Sequence, residues 1–234
     1  LHEYDRVNIM RRFVIRFLVR RADCVFVSNK KLGHDIQPYA CNIRYRNIPT
    51  NIADNVENGR HDKNVFTYFG LINKTKAFDE MLVGWDIFND AGTYTLNVIT
   101  GTKISGLERH KNVNYYYNMS NKELLKKLRN AAFCVVPIRP NIDMKNGTFK
   151  TAAFAGCICI GRFSEEYGKL PFVIPMEKYH AEDFADAFCK AQKLSKSSMK
   201  KMEKCASMFG SQYTPKAVAD TVGKEIVEFI GRKY

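Results

Sequence analysis

The chain has 234 residues, 45% hydrophobic and 26% charged, which excludes disordered and fibrous classes and suffices for one large or two small globular domains. The formal net charge of +13 favours an anionic partner: a phosphorylated ligand, a nucleic acid or an anionic membrane surface. Seven cysteines without a paired CxxC motif indicate core thiols in a reducing compartment, so we expect a cytoplasmic location. No apolar run is long enough for a membrane span or a signal peptide, and because the first residue is Leu, we expect part of a longer protein.

A basic amphipathic helix is predicted from Arg6 to Arg21. Ile9, Phe13 and Phe17 fall four residues apart, and arginines occupy much of the remaining surface. Such a helix can pack its apolar stripe on a domain and leave its arginines in solvent. It can also lie on the inner face of an anionic membrane. The sequence leaves both interpretations open.

Short strands and helices alternate along the rest of the chain. The predicted strands are Ala22 to Ser28, Ile43 to Ile48, Val65 to Phe69, Tyr94 to Thr100, Val113 to Tyr117, Phe133 to Pro137, Cys157 to Ile160 and Phe172 to Ile174. The predicted helices are Lys31 to Tyr39, Lys76 to Phe88, Ser120 to about Ala131, one within 143–156, Ala181 to Leu194, Lys196 to Phe209 and Lys216 to Ile230, with a polar linker at Asp54 to Lys63. This alternation predicts an α/β fold, a Rossmann-like parallel sheet with helices on both faces.

The stretch from Asp143 to Gly156 is the strongest candidate for a binding site. It lies between two apolar strands, so its loop falls at the carboxyl end of a parallel strand, where open sheets bind ligands. Asn146 or Thr148 can cap the helix that follows. Gly147 admits a ligand close to the backbone, and Lys150 adds a positive charge one turn into the helix. An ordinary capped helix, packed on the sheet through its alanines, explains the spacing equally well.

Six short motifs follow one another in a set order: Ala22-Asp-x-Val-x-Val-Ser28, Asn47-Ile-Pro49, Gly70 with Lys76-Ala-Phe-Asp79, Thr100-Gly101, Asn112-Val-Asn-Tyr115 with Glu123-Leu124, and Ala153-Phe-Ala-Gly156. In this order they resemble the carboxyl-terminal half of a glycosyltransferase-B fold enzyme, closest to the retaining family 4 of glycosyltransferases. The resemblance covers nearly the whole chain. It implies two Rossmann-like domains, of which the amino-terminal one mainly holds the acceptor and the carboxyl-terminal one the nucleotide-sugar donor.

The resemblance also implies roles for single residues in donor binding. The lysine that neutralises the donor diphosphate corresponds to Lys76, and the glycine at the preceding strand end corresponds to Gly70. The arginine that often follows this glycine is Leu71 here. The cations that could replace its charge are Lys74, Arg139 and Lys150.

Two glutamates of the family fall on Asp143 and Thr151. Asp143 keeps a carboxylate, which by resemblance contacts the donor sugar as a catalytic group. Thr151 takes the place of the glutamate that grips the nucleotide ribose and offers only a hydroxyl. Gly147-Thr148-Phe-Lys150 also resembles the phosphate-binding helix start of some fucosyltransferases of the same fold. His2 corresponds to the family's histidine near the donor sugar; the alternative is a terminal histidine without a role.

The resemblance therefore implies a glycosyltransferase that moves a sugar from a nucleotide sugar to a glycan or lipid-linked acceptor, with retained anomeric configuration and neither metal nor other cofactor. Residues 1–21 would be a remnant of the acceptor domain, 22–210 the donor-binding domain, and 211–234 a helix that crosses back to the acceptor domain. A homodimer or a missing acceptor domain would cover the apolar face of that helix.

Two other functions are compatible with the sequence. The positive charge and Tyr115 to Tyr117 fit a basic nucleic-acid-binding protein, although no known nucleic-acid module is present and we expect no nucleic-acid partner. Thr151 in place of a glutamate fits a catalytically inactive nucleotide-sugar-binding subunit.

Overall fold

The structure is a computed structural model that describes residues 8–50, 52 and 59–231, and the chain divides into two compact units. Residues up to Ile48 form the first unit together with those from Val218 onwards. The second unit is Pro49–Ala217. The donor-binding domain predicted from the sequence begins earlier, at residue 22, and its bounds stay a prediction. The first two strands belong to the same compact unit as the last helix from Val218 onwards.

The first unit contains a small parallel sheet between helices. Helix α1, Ile9–Arg21, begins at Asn8, whose side chain accepts a hydrogen bond from the N–H of Arg11. Strands β1, Val25–Val27, and β2, Ile43–Tyr45, pair in parallel, and helix α2, Lys30–Ile36, connects them. The predicted strands are present but shorter than expected.

One side of α1 packs on this sheet, and the other side is exposed. Val19 belongs to the core of the first unit, and the Arg16 and Arg20 guanidinium groups lie 4.8 and 5.3 Å from the centroid of the Tyr39 ring. The exposed side carries large apolar residues whose exposed fractions range from 46% to 84%: Ile9, Met10, Phe13, Val14, Phe17 and Leu18. The apolar stripe predicted from the sequence therefore faces away from the unit that α1 belongs to.

Helix α8, Pro215–Gly231, is the last element. The helix predicted from Lys216 to Ile230 is therefore confirmed to within one residue at each end. From Val218 onwards it groups with the first unit, where Glu225 forms an ion pair with Arg46. Its apolar residues Ile226, Val227 and Ile230 are exposed. No described residue of α8 is fully buried.

The second unit is built on one six-stranded parallel sheet with the order β5-β4-β3-β6-β7-β8. Its strands are β3, Asp62–Phe69; β4, Thr95–Thr100; β5, Val113–Tyr117; β6, Ala131–Val135; β7, Ile158–Gly161; and β8, Val173–Pro175. Its helices are α3, Phe78–Phe88; α4, Asn121–Asn130; α5, Gly147–Phe154; α6, Ala181–Gln192; and α7, Lys196–Ser211. The α/β class and the parallel sheet are confirmed.

Helices α3 and α6 cover one face of this sheet with an aromatic core. Phe66 of β3 lies edge-on to Trp85 of α3 and to Phe188 of α6, at centroid distances of 5.5 and 5.3 Å. Such edge-to-face pairs add to the stability gained from burying the rings. The Trp85 indole N–H donates to the carbonyl of Lys111, so its one polar atom is satisfied.

Helices α4, α5 and α7 cover the opposite face, where α5 and α7 approach very closely. A Cβ atom on Gly210 of α7 would lie 2.1 Å from the backbone nitrogen of Phe154 in α5. Only glycine fits at that position, and the neighbouring Ala153 is fully buried. The alanine-rich helix therefore does pack tightly on its surroundings, as the alternative explanation of its sequence predicted.

Several element boundaries differ from the predicted ones, among them the starts of β3 and α3. Strand β3 begins at Asp62, inside the predicted linker, whose residues 54–58 lie outside the described part of the chain. Helix α3 begins at Phe78 rather than Lys76, because Lys76 forms an antiparallel bridge with Ile138 and its backbone is already committed. Among the described residues, none of the helices is long and apolar enough to cross a membrane.

Candidate functional site

The candidate site lies at the carboxyl edge of the six-stranded sheet, where the loops after β3 and β6 are neighbours. Gly70, directly after β3, has φ of +127°, which L side chains rarely adopt. A Cβ atom at Gly70 would lie 3.6 Å from the hydroxyl oxygen of Thr148, in the first turn of α5. The fold therefore brings together two residues that the sequence assigned to donor binding.

The amino terminus of α5 has the geometry of an anion site. Asn146 is the cap, and its side chain accepts a hydrogen bond from the N–H of Phe149 at 2.7 Å. The first N–H groups of a helix have no partner within the helix, and such a helix start favours an anion. The sequence left the cap open between Asn146 and Thr148, and the structure selects Asn146.

Lys150 lies on α5 as expected, but its side chain is fully buried. The ammonium nitrogen donates to the carbonyl of Met144 at 2.6 Å and lies 4.5 Å from the centroid of the Tyr213 ring. Burial lowers the pKa of Lys150 to about 8, against the opposing effect of the Asp143 carboxylate. The ammonium group that was predicted to bind a ligand therefore stabilises the loop that precedes α5. Its contact with a diphosphate stays a prediction.

Asp143 holds the other end of that loop. One carboxylate oxygen accepts from the N–H of Lys145 at 3.0 Å, and the backbone carbonyl accepts from the Tyr167 hydroxyl at 2.8 Å. Burial raises the pKa of Tyr167, so this hydroxyl keeps its proton and remains a donor. Asp143 is half-buried, and its contact with a donor sugar remains a prediction.

Thr151 is buried, and its hydroxyl forms a hydrogen bond with the buried hydroxyl of Thr50. The N–H of Thr50 donates to the carbonyl of Tyr213 at 2.7 Å, which ties the segment before β3 to the end of α7. Sequence reasoning did not find Thr50, because a polar pair separated by 101 residues leaves no local pattern. In this structure the Thr151 hydroxyl faces Thr50 rather than an open site.

Lys76 and Arg139 come from adjacent loops of the same edge. The bridge between Lys76 and Ile138 joins the loops, and the N–H of Arg139 donates to the carbonyl of Thr75 at 2.8 Å. Lys76 is half-buried, and burial lowers its pKa. Arg139 is exposed and forms an ion pair with Glu80 of α3. Arg139 thus has Glu80 as a partner within the protein. A contact between Lys76 and a diphosphate stays a prediction.

His2 lies outside the described residues. Within the described ranges, no group of three or more His, Cys, Asp or Glu side chains is placed to hold a metal ion. Metal-independent chemistry therefore stays a prediction from the resemblance.

No protein-family model matches the chain, and no curated protein matches it by sequence. Solved structures do match. Pneumococcal O-GlcNAc transferase GtfA in complex with UDP and GlcNAc aligns with 93% of this chain and 47% of its own, with a TM-score of 0.65 and 13% identity. An α,α-trehalose-phosphate synthase from Burkholderia vietnamiensis aligns with 95% of this chain and 64% of its own, with a TM-score of 0.65 and 11% identity.

A GtfA/B complex gives the same result, with a TM-score of 0.66, 12% identity, and coverage of 92% of this chain and 47% of that one. The chain thus spans about half to two thirds of the length of these neighbours. They are glycosyltransferases with the glycosyltransferase-B fold, and the present chain has the fold of the part of each that it matches. At such low identity the likeness concerns the fold and not the reaction.

Proposed function

We propose that the chain is the nucleotide-sugar-binding half of a glycosyltransferase that transfers a sugar to a glycan or lipid-linked acceptor. The supporting observation is that Gly70, with its positive φ, lies against Thr148 at the amino terminus of α5. Glycine at this position places no side chain beside backbone N–H groups that favour negative charge. The nucleotide diphosphate of a donor has the matching charge.

In this proposal, the first turn of α5 and the ammonium of Lys76 bind the donor diphosphate from two sides. Negative charge develops on the diphosphate as its bond to the sugar breaks, and fixed positive groups stabilise that charge. Asp143 faces the sugar, where a carboxylate favours positive charge at the anomeric carbon. Retention of configuration, independence from a metal and a place in family 4 are inferred from the motif resemblance.

The position of Lys150 gives it a supporting role within this mechanism. Its hydrogen bond to Met144 holds the segment between Asp143 and the Asn146 cap. A loop fixed in this way keeps the N–H groups of α5 in place before the ligand arrives, which lowers the cost of binding. Lys150 also adds positive charge behind the helix terminus, since at neutral pH a group with a pKa of about 8 remains mostly protonated.

Partners follow from the same proposal. The GtfA structure contains UDP and GlcNAc, and the GtfA/B structure is a complex. For the present chain we propose a nucleotide sugar as donor and either an acceptor domain or a second subunit as the other wall of the cleft. A cleft that excludes water is needed because the donor would otherwise be hydrolysed.

Binding of nucleoside diphosphates tests the proposal directly. Thermal denaturation should show a higher melting temperature with UDP, GDP or ADP than without, because a ligand of the folded state stabilises it by about 2.7 kcal/mol at a hundredfold excess over Kd. The matching nucleosides without phosphate serve as controls and should have a much smaller effect. No shift with any diphosphate or nucleotide sugar would refute the proposal.

An inactive binding subunit is the second candidate, because the hydroxyl of Thr151 is engaged by Thr50. Such a subunit would bind the donor as tightly as an enzyme but would not turn it over. Donor binding by calorimetry, followed by an assay for released nucleoside diphosphate with the full-length protein, separates the two candidates. Release of diphosphate on addition of an acceptor identifies the enzyme.

A further inference from the structure

A second cationic feature lies at the carboxyl edge of the sheet, apart from the first turn of α5. It is an open pocket of about 510 Å³, which we call the basic pocket. Within the part of the chain that the structure describes, no acidic side chain lines it. Its cationic lining residues are Lys74, Arg139, Arg162 and Lys178, and the imidazole of His180 also lines it.

These cations come from four separate loops, each at the carboxyl end of a strand. Lys74 follows β3, and Arg139 follows β6. Arg162 directly follows β7, and Lys178 lies between β8 and α6. Because no single charged run of the sequence produces this cluster, sequence analysis could not find it. The carboxyl end of a parallel sheet is also where α/β proteins bind ligands.

A buried tyrosine forms the floor of the basic pocket. The hydroxyl of Tyr179 accepts a hydrogen bond from the N–H of Arg162 at 3.0 Å, and its ring stacks on Phe184 at 5.7 Å. Burial raises the pKa of Tyr179 to about 12, so the floor stays neutral at physiological pH. The hydrogen bond to Tyr179 holds the backbone of Arg162 in place. The side chain of Arg162 is exposed and extends from this fixed backbone.

Among the described residues, the lining of the pocket combines several positive charges with no acidic side chain. Arg139 pairs with Glu80, and His180 lies 3.6 Å from Asp183, but neither acid lines the pocket. Like charges that converge on one cavity repel each other, and a bound anion relieves this repulsion. An arginine presents two parallel N–H groups that match the oxygen atoms of a phosphate.

The basic pocket also differs from the proposed donor site. Gly70, Asp143 and Thr148 do not line it, and neither does Lys76. Arg139 and Lys74, two of the three cations that the sequence offered to the donor site, do line it. A phosphate group bound in the basic pocket therefore contacts a different set of side chains from a diphosphate at α5.

We propose that the basic pocket binds the phosphate group of a second ligand, of the phosphate monoester class, separately from the nucleotide diphosphate. This inference does not depend on the proposed sugar transfer. A phosphorylated acceptor and a free small phosphate share the chemistry that the pocket recognises. Calorimetry with a phosphate monoester and with inorganic phosphate distinguishes these sources.

The test uses glycerol 3-phosphate as the probe, with glycerol as its neutral control and UDP as the diphosphate. Glycerol 3-phosphate should bind the unaltered protein, and glycerol should not. The variant Arg162→Ala/Lys178→Ala should bind glycerol 3-phosphate about tenfold more weakly or worse, as expected for lost hydrogen bonds between charged groups. Its affinity for UDP should change less than about twofold.

A matched control removes two lysines outside the basic pocket. Lys193→Ala/Lys201→Ala has the same net charge as the pocket variant, and both lysines are exposed. It should bind glycerol 3-phosphate like the unaltered protein. Since the side chains of Arg162 and Lys178 are also exposed, neither variant should lose stability, and a melting curve checks this.

Three results would overturn the proposal. The first is that glycerol 3-phosphate does not bind, or binds both double variants equally. The second is that the pocket variant loses UDP and glycerol 3-phosphate affinity together, which would make the pocket part of the diphosphate site. The third is that inorganic phosphate binds as well as the monoester and survives the pocket substitutions. Should the alanine variant misfold, Arg162→Gln/Lys178→Gln serves in its place with the same expected outcomes.

Discussion

The ammonium nitrogen of Lys150 lies 2.6 Å from the carbonyl oxygen of Met144, inside the second unit and out of contact with solvent. A lysine is buried in this way only when its charge is compensated by hydrogen bonds or by aromatic faces. Here the Met144 carbonyl and the Tyr213 ring provide that compensation. The residue therefore belongs to the support of the candidate site as much as to its charge.

The burial of Lys150 predicts a stability effect. Lys150→Ala should lower the free energy of unfolding by about 2–4 kcal/mol, because it leaves a cavity and an unpaired carbonyl. Lys150→Met keeps most of the volume and should cost less. Lys193→Ala, at an exposed lysine, should stay within about 0.5 kcal/mol of the unaltered protein. Denaturant unfolding measures all three, and an unchanged midpoint for Lys150→Ala would contradict the buried position.

The same lysine predicts a dependence of stability on pH. Its pKa is about 8 in the folded state against a usual 10.5, so between these values the unfolded chain binds a proton that the folded chain does not. The contribution of Lys150 to stability therefore rises with pH across this window and is smallest below it. Tyr213 acts in the opposite sense at higher pH, because burial raises its pKa.

Comparison with Lys150→Met isolates this contribution, since Tyr213 and the nearby Asp143 are present in both proteins. As the pH rises from about 8 to 10.5, the unfolding free energy of the unaltered protein should increase relative to that of Lys150→Met. A difference that is constant over this range would show that the pKa of Lys150 is not lowered.

The proposed diphosphate contact predicts a binding defect at Lys76. Lys76→Ala should weaken UDP binding by about 1.5–3 kcal/mol, the range for a hydrogen bond to a charged group. The change in stability should be small, because the side chain is only half-buried. Calorimetry with UDP measures the effect, with Lys193→Ala as the charge-matched control. Equal affinity in both variants would remove Lys76 from the site.

Gly70 predicts that backbone conformation matters at the site. Gly70→Ala places an L side chain at φ of +127°, a strained conformation that should cost about 1–3 kcal/mol of stability. It should also weaken UDP binding, since the added Cβ lies close to Thr148. The control is Gly168→Ala, where φ is +60° and nothing lies within 4 Å of an added Cβ. Equal effects of the two substitutions on UDP affinity would argue against a special role for Gly70 in binding.

The exposed apolar side of α1 predicts attachment to an anionic membrane. Its arginines lie beside large apolar side chains, and the helix contains no acidic residue, which complements a negatively charged lipid surface. The protein should float with liposomes that contain acidic lipid and should not float with neutral ones. Phe13→Ser/Leu18→Ser should abolish flotation without loss of stability, because both side chains are exposed. Failure to float with either lipid would refute the attachment.

Local patterns predicted much of the fold. The capping box at Ser120 and Glu123 is present, with reciprocal hydrogen bonds, and starts α4 where the sequence placed it. Apolar runs located the central strands of the second unit most clearly, because strands such as β6 and β7 are buried between helices on both faces. Such signals depend on a few neighbouring residues, so they are readable without knowledge of the tertiary structure.

Long-range relationships were not predictable in this way. The Thr50–Thr151 pair, the burial of Lys150 and the four-loop origin of the basic pocket depend on how distant segments meet. The spacing of strands and helix located the loop that contains Asp143 and Thr148, whereas Gly70 and the role of Asp143 came only through resemblance to a family. Sequence reasoning could not determine which side chains face solvent, because a lysine in the first turn of a helix has the same local pattern whether it is exposed or buried.

The close packing of α5 against α7 has a consequence for how this edge responds to a ligand. With Gly210 against the backbone of Phe154, α5 cannot slide or rotate without a steric clash. Any adjustment on binding must therefore occur in the loop from residue 136 to 146, while the helix keeps its position. Amide protons in the middle of α5 would then exchange with solvent at nearly the same slow rate in the free and the bound protein, and changes in exchange would be confined to that loop.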